Sequence, residues 1–207
     1  MSTYEWFFFI ALIPSIVLHE VSHGYVALLF GDPTAKEQHR LTLNPLRHID
    51  LFGTIILPAL LVISGLPAFG YAKPVPVNLS RLRRPRQQAL WVALAGPATK
   101  IVLSFVGYLI CELAIHTNQS YNLFLFGVAL GLSNLILAAF NLVPIPPLDG
   151  AAVIERFIPV RNLARYYQLR AKALPFFFVL IILDFAFFHV GTNWLTDLET
   201  WWINRVI

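Results

Sequence analysis

The chain has 207 residues, of which 57% are hydrophobic and only 13% are charged. This composition, with a mean hydropathy of +0.68, excludes an ordinary soluble globule and predicts one polytopic membrane domain over residues 1–207. The net charge of +4 does not indicate nucleic-acid binding, because the basic residues lie in predicted loops, where they set membrane orientation. The single cysteine, Cys111, excludes an internal disulfide and a cysteine-based zinc site.

The first apolar segment, residues 4–30, is long enough to span a bilayer and contains the sequence HEVSH at positions 19–23. Two histidines four residues apart lie on one face of a helix, so the imidazoles of His19 and His23 can bind one Zn²⁺. Glu20 can then act on water at that metal. Polar residues are costly inside a membrane segment and mark function there. We therefore predict a metal site in this segment, which is expected to be retained rather than cleaved as a signal peptide.

The rest of the chain predicts an all-α membrane protein with about four to five transmembrane helices. A polar stretch, residues 34–50, follows the first segment, and its alternating part favours a short strand or hairpin. The next apolar run, 51–67, contains Gly and Pro and is only marginally long enough to cross. Further apolar segments cover 89–115, 122–143 and 173–188. The Trp-rich tail that ends at residue 207, with Trp194, Trp201 and Trp202, is typical of an interfacial anchor.

The distribution of Lys and Arg residues indicates that 51–67 is re-entrant. If this run dips into the membrane and returns, three loops share one side: 32–50, 68–88 and 144–172. They carry 3, 5 and 5 Lys and Arg residues, against Arg205 alone on the other side. The positive-inside rule favours this arrangement, which places the three loops in the cytoplasm and the N-terminus outside.

A catalytic zinc site is expected to have three protein ligands and one open position. Asp149, which follows the apolar segment 122–143, is the best third candidate. In the re-entrant arrangement this segment runs in the same direction as the first, so Asp149 approaches the cytoplasmic side as His19 and His23 do. Taken alone, Asp149 in Leu-Asp-Gly would be interpreted as a turn residue. Its pairing with the histidines favours one Zn²⁺ per chain, bound by His19, His23 and Asp149.

The chain resembles the site-2 protease family of intramembrane zinc metalloproteases, in the compact bacterial form that lacks a PDZ domain. The resemblance depends on HEVSH at 19–23 and NLVPIPPLDG at 141–150, with Gly96-Pro97 between them. It covers roughly residues 4–155 and leaves the C-terminal helix and tail, 173–207, outside.

The resemblance implies that the two histidines and Asp149 bind zinc, that Glu20 is the general base, and that Asn141 helps to hold the substrate or the oxyanion. The stretch 34–50 resembles the family's membrane-associated β-element, which pairs with an unfolded substrate strand. The implied activity is the hydrolysis of peptide bonds in single-pass transmembrane proteins. The implied location is the cell membrane, with the active site near the cytoplasmic side.

One residue departs from the family pattern, which usually reads Gly-Pro-x-x-Asn, because this chain has Lys100 at the Asn place. Lys100 and Asp184 are predicted to lie at one membrane depth, so we expect an ion pair between them that docks the last apolar segment.

Two other classes of function remain. A membrane metal transporter would use the same ligands for passage, but it would need ionisable residues along a path, whereas this chain concentrates them at one depth. A catalytically impaired relative would bind transmembrane partners without cutting them. Glu20 argues against that reading, and Lys100 argues slightly for it.

Overall fold

The computed structural model describes residues 3–65, 70–117, 120–184 and 190–206, and the regular structure in these ranges is helical. The helices are α1 (Thr3–Leu29), α2 (Thr34–Glu37), α3 (Leu57–Ile63), α4 (Pro85–His116), α5 (Tyr121–Leu142), α6 (Ala151–Phe157), α7 (Val160–Ala171), α8 (Ala173–Leu183) and α9 (Val190–Val206). Two 3-10 turns, Pro45–His48 and Leu79–Arg81, and one π-helical turn, Leu51–Ile56, lie between them.

Three helices, α1, α4 and α5, are long and apolar enough to cross a membrane. Their bounds agree with the predicted apolar segments to within a few residues, and local signals mark the end of α1 and the start of α5. Gly31, with φ of +106°, follows α1, and the side chain of Ser120 caps α5 by accepting the N–H of Asn122. Helices α7 and α8 would form a fourth span if their 61° bend is a break within one crossing. The described residues thus give three spans, or four with the bent pair, against the four to five predicted.

The chain divides into two compact units, residues 13–96 and residues 1–12 with 97–207. In the unit of residues 13–96, the end of α1 packs on the chain that leads into α4. Its buried centre consists of Ala27, Leu82 and Val92. Asp32, which is fully buried, accepts the backbone N–H groups of Thr34 and Asn78 and so fixes both turns around this centre.

The predicted re-entrant run begins as a short helix over Leu51–Ile63. At 1.5 Å per residue it is about 20 Å long, less than the ~30 Å of a bilayer core. The chain then returns to where it began, because the N–H of Tyr71 donates to the carbonyl of Gly53 at 3.1 Å. The Thr54 hydroxyl also donates to the Tyr71 carbonyl at 3.0 Å. The end of the predicted run, residues 66 and 67, lies outside the described residues.

The predicted β-element at 34–50 is not confirmed, since the structure shows no strand in this stretch, all of which it describes. Helix α2 occupies its start, and a 3-10 turn occupies Pro45–His48. Between them His39 has φ of +52°, a left-handed conformation that interrupts the alternating run. The alternation of residue types does not reveal this local reversal of the backbone.

In the other unit, small residues allow α4, α5 and α9 to approach closely. A Cβ added at Gly107 of α4 would lie 2.8 Å from the Gly127 carbonyl of α5, and one at Gly131 would lie 2.8 Å from the Trp202 ring of α9. Gly127 and Gly131 form the Gly-x-x-x-Gly spacing that lets helices pack at short distance in membranes. Trp202 joins a buried cluster with Cys111.

This packing places one tryptophan of the tail in the core, whereas the anchor role that the sequence predicted for the tail stays a prediction. Trp202 is only 4% exposed and belongs to the core, whereas Trp194 and Trp201 are 44% and 53% exposed. The indole of Trp202 is buried because Gly131 leaves space for it, which the tail sequence alone does not show.

Lys100 and Asp184 both lie in this unit. Lys100 is 2% exposed, and the Asp184 carboxylate accepts the N–H groups of Val190 and Gly191 at the start of α9. Asp184 therefore has a capping role that the sequence did not predict. The Lys100–Asp184 ion pair stays a prediction.

Glu155, a buried carboxylate, links α6 to α7. It accepts hydrogen bonds from the Tyr167 hydroxyl and, at 3.0 Å, from the Arg170 guanidinium. The Tyr166 hydroxyl donates to the carbonyl of Ala151. These bonds hold α6, the helix that begins two residues after Asp149.

Candidate metal centre

Helix α1 brings His19 and His23 together on one face, one turn apart. Their Nε2 atoms lie 3.2 Å from each other, and the rings meet edge to face with centroids 4.6 Å apart. Both side chains are buried, at 7% and 9% exposure. Two imidazole nitrogens bound to one tetrahedral Zn²⁺ at 2.0–2.1 Å would lie about 3.3 Å apart. The pair therefore fits zinc without a change of backbone.

The orientation of His23 is set by a backbone carbonyl of α4. Its Nδ1 lies 2.6 Å from the Val92 carbonyl oxygen, so Nδ1 carries the proton and donates it to that oxygen. Nε2 is then the nitrogen with a lone pair to offer a metal. Metal-ligating histidines commonly donate their second ring N–H to such a partner, which fixes the ring and its tautomer.

Gly96 provides the space that the two imidazoles occupy. A Cβ at this position would lie 2.5 Å from His19 Nδ1 and 2.5 Å from His23 Nε2, which is closer than real Cβ atoms approach. A glycine is therefore required where α4 passes the histidine pair. Gly96-Pro97 stands out in the sequence, and the structure adds that its glycine faces the two imidazole rings.

Glu20 lies between the two histidines in sequence and makes a different contact. Its Oε2 accepts the backbone N–H of Val75 at 2.9 Å. Glu20 is half-buried, and the segment that contacts its carboxylate contains neither helix nor strand. The structure thus places His19, Glu20 and His23 in one unit with the backbone groups of Val92 and Val75.

Asp149 and Asn141 belong to the other unit, at the turn between α5 and α6. Asn141 is the second-last residue of α5, and its carbonyl accepts the N–H of Gly150 at 2.7 Å. A Cβ at Gly150 would lie 2.6 Å from the Val143 carbonyl oxygen, so this turn also requires glycine. Asp149 is partly buried there. Its role as third ligand and the role of the Asn141 side chain stay predictions.

Sequence reasoning missed two members of this centre, the Val92 carbonyl and the Val75 N–H. Backbone groups have no signature in the residue type that carries them. The only signal was local: Val75 is flanked by Pro74 and Pro76, which have no N–H to donate.

A helical membrane chain whose buried histidine pair fits one zinc ion falls within the class of membrane metalloproteins. Comparison with curated proteins narrows that class. The chain is 39% identical over 180 residues to YwhC of Bacillus subtilis (strain 168), named as a candidate zinc metalloprotease, and the match covers 84% of this chain and 78% of YwhC.

Two mycobacterial proteins named Rip2, also candidate zinc metalloproteases, match as well. The protein of Mycobacterium tuberculosis (strain H37Rv) is 31% identical over 89% of this chain and 71% of its own length. That of Mycolicibacterium smegmatis is 32% identical over 68% of this chain, which spans about half, 53%, of that relative. No family model and no solved structure matches the chain. The chain belongs to the zinc metalloprotease family that includes YwhC and Rip2.

Proposed function

We propose that this chain is an intramembrane zinc metalloprotease of the site-2 type that hydrolyses peptide bonds of single-pass transmembrane proteins. The observation that carries the proposal is the 3.2 Å separation of the His19 and His23 Nε2 atoms, with Glu20 between them, in a helix apolar enough to cross a membrane. The family relationship supports the metalloprotease function, and the apolar helix supports its location within the bilayer.

In this proposal one Zn²⁺ is held by His19, His23 and Asp149. When bound there, zinc supplies Lewis-acid chemistry that activates water near neutral pH and polarises the scissile carbonyl. Glu20 takes a proton from the attacking water and passes it to the nitrogen of the leaving amine. The Val92 carbonyl keeps His23 in the tautomer that leaves Nε2 available. The Asn141 amide would hold the substrate or the developing oxyanion.

A transmembrane substrate must unwind before it is cut, because a helix keeps its amides in internal hydrogen bonds. We propose that residues 34–50 receive the unwound chain, as a membrane-associated β-element would. Asn44 in this stretch has extended backbone angles (φ −71°, ψ 111°), which is compatible with pairing to a second extended chain.

We also propose that 51–67 is re-entrant in the cell membrane, with the N-terminus outside and the active site near the cytoplasmic side. The hydrogen bond between Tyr71 and Gly53 supports this, since a segment that had crossed would end about 30 Å from its start. The distribution of Lys and Arg supports it independently.

Metal analysis of the purified chain tests the ligand set. The intact chain should retain about one zinc per chain, the count of a catalytic site. His23→Ala and Asp149→Ala should each lose most of it, because two ligands hold zinc far more weakly than three. The matched controls His116→Ala and Asp197→Ala change exposed residues of the same types and should keep the zinc. Full zinc retention by Asp149→Ala would remove Asp149 from the ligand set.

A further inference from the structure

A short segment without helix or strand, residues 73–78 (Lys-Pro-Val-Pro-Val-Asn), is fixed along the metal-binding part of α1; we name it the strap. Four hydrogen bonds to three residues hold its ends. The buried guanidinium of Arg40 donates to the carbonyls of Lys73 and Pro74 at 2.8 and 3.3 Å. The N–H of Lys73 donates to the carbonyl of His48 at 2.9 Å. At the other end, the N–H of Asn78 donates to the buried Asp32 carboxylate at 2.6 Å.

The centre of the strap lies against the helix that carries the histidines. Val75 is 7% exposed, and a Cβ added at Gly24, the residue after His23, would lie 2.8 Å from the Val75 side chain. Gly24 therefore lets the strap approach α1 closely. At this point the N–H of Val75 donates to Glu20 Oε2.

The sequence of the strap leaves little choice of donor. Pro74 and Pro76 have no N–H, so Val75 carries the one backbone donor of residues 74–76. The prolines also fix φ and stiffen the strap, which lowers the entropy cost of holding that N–H in place. One backbone donor, in a stiff and anchored segment, is directed at one carboxylate oxygen.

We propose that the Val75 N–H, which the strap carries, is a positioning group for the general base and holds the Glu20 carboxylate in the orientation for proton transfer. A general base must lie within about 3 Å of the proton it takes, and a free glutamate side chain has three rotatable bonds. The hydrogen bond to Oε2 fixes the carboxylate plane and directs Oε1 to the proton. Arg40 and Asp32 act through the strap. This inference rests on the proposed function, in which Glu20 is the base.

Replacement of single strap residues by proline tests the inference. Val75→Pro removes the N–H that donates to Glu20. Val77→Pro removes a neighbouring N–H of the same strap that makes no hydrogen bond to Glu20. The assay uses the full-length chain in detergent and a single-pass membrane protein that the intact chain cleaves. Val75→Pro should lower kcat by about 10- to 100-fold with KM and zinc content nearly unchanged, as expected for a misplaced catalytic group. Val77→Pro should stay within about threefold of the intact chain.

A kcat unchanged in Val75→Pro, or lowered equally in Val77→Pro, would overturn the inference. Amide hydrogen exchange of the strap is a second test, which requires neither a proline substitution nor a substrate. Glu20→Ala removes the acceptor and should speed the exchange of the Val75 amide, whereas Glu20→Gln keeps an acceptor oxygen and should preserve its protection. Equal exchange in the two variants would also overturn the inference.

The failure of this inference can be distinguished from failure of the proposed function. If Glu20→Gln still cleaves, the proposed function is wrong. If Glu20→Gln is inactive but Val75→Pro is fully active, only the positioning role of the Val75 N–H is wrong.

Discussion

Gly96 shows how little space separates α4 from the two histidines. A methyl group there would meet both imidazole rings, and His23 cannot turn away without losing its bond to the Val92 carbonyl. We predict that Gly96→Ala displaces the rings from their common point and lowers zinc retention, with a stability loss of about 1–3 kcal/mol from overpacking. Metal analysis and thermal unfolding in detergent measure the two effects.

The matched control for this prediction is Ala98→Val, which adds bulk to α4 at an exposed position two residues further on. It should keep both zinc and thermal stability, since surface substitutions change stability by only about 0.5 kcal/mol. Equal zinc content in Gly96→Ala and Ala98→Val would show that the metal ligands have more room than the structure indicates.

The residues of the centre differ in how far the sequence could predict them. His19, Glu20 and His23 were predictable, because helical spacing alone places the two imidazoles on one face. The space made by Gly96 was not, since a Gly-Pro pair only indicates a close approach or a kink and does not name what approaches. The Val75 contact depends on a long loop returning to α1, which local sequence does not determine.

At the scale of elements, α1, α4 and α5 were predictable because long apolar runs have few alternatives to a spanning helix. The conformation of the stretch 34–50 was not, since one left-handed residue, His39, interrupts the alternating run between α2 and the 3-10 turn at Pro45–His48. Helix α9 was predicted as an anchor from its tryptophans. Its core role depends on the small residues of α5, which lie about 70 residues earlier.

For the whole molecule, the central prediction is that loops 68–88 and 144–172 face the cytoplasm. Cys111→Ala gives a chain without cysteine, and single cysteines are then placed at Ser80 and Asn162, both exposed. Thiol reagents that cannot cross the membrane, applied to intact cells, should label neither position. After the cells are opened both should react, because the basic loops lie inside.

Labelling of Ser80→Cys in intact cells would contradict the re-entrant arrangement, since 51–67 would then cross fully. Asn162→Cys serves as the internal control for α5. If it alone reacts from outside, the error lies in the direction of α5 and not in the re-entrant run. The two positions together therefore separate the two parts of the topology.

The proposed protease activity depends most on Glu20 acting as the general base. The direct measurement is co-expression of the chain with a panel of single-pass membrane proteins, comparing the intact sequence with Glu20→Gln and with the control Glu5→Gln, an exposed residue of the same helix. The intact chain and the control should cleave at least one of them. Glu20→Gln should keep its zinc but lower cleavage by at least about 100-fold, because the amide cannot accept the proton of water. Unchanged cleavage by Glu20→Gln would contradict the account.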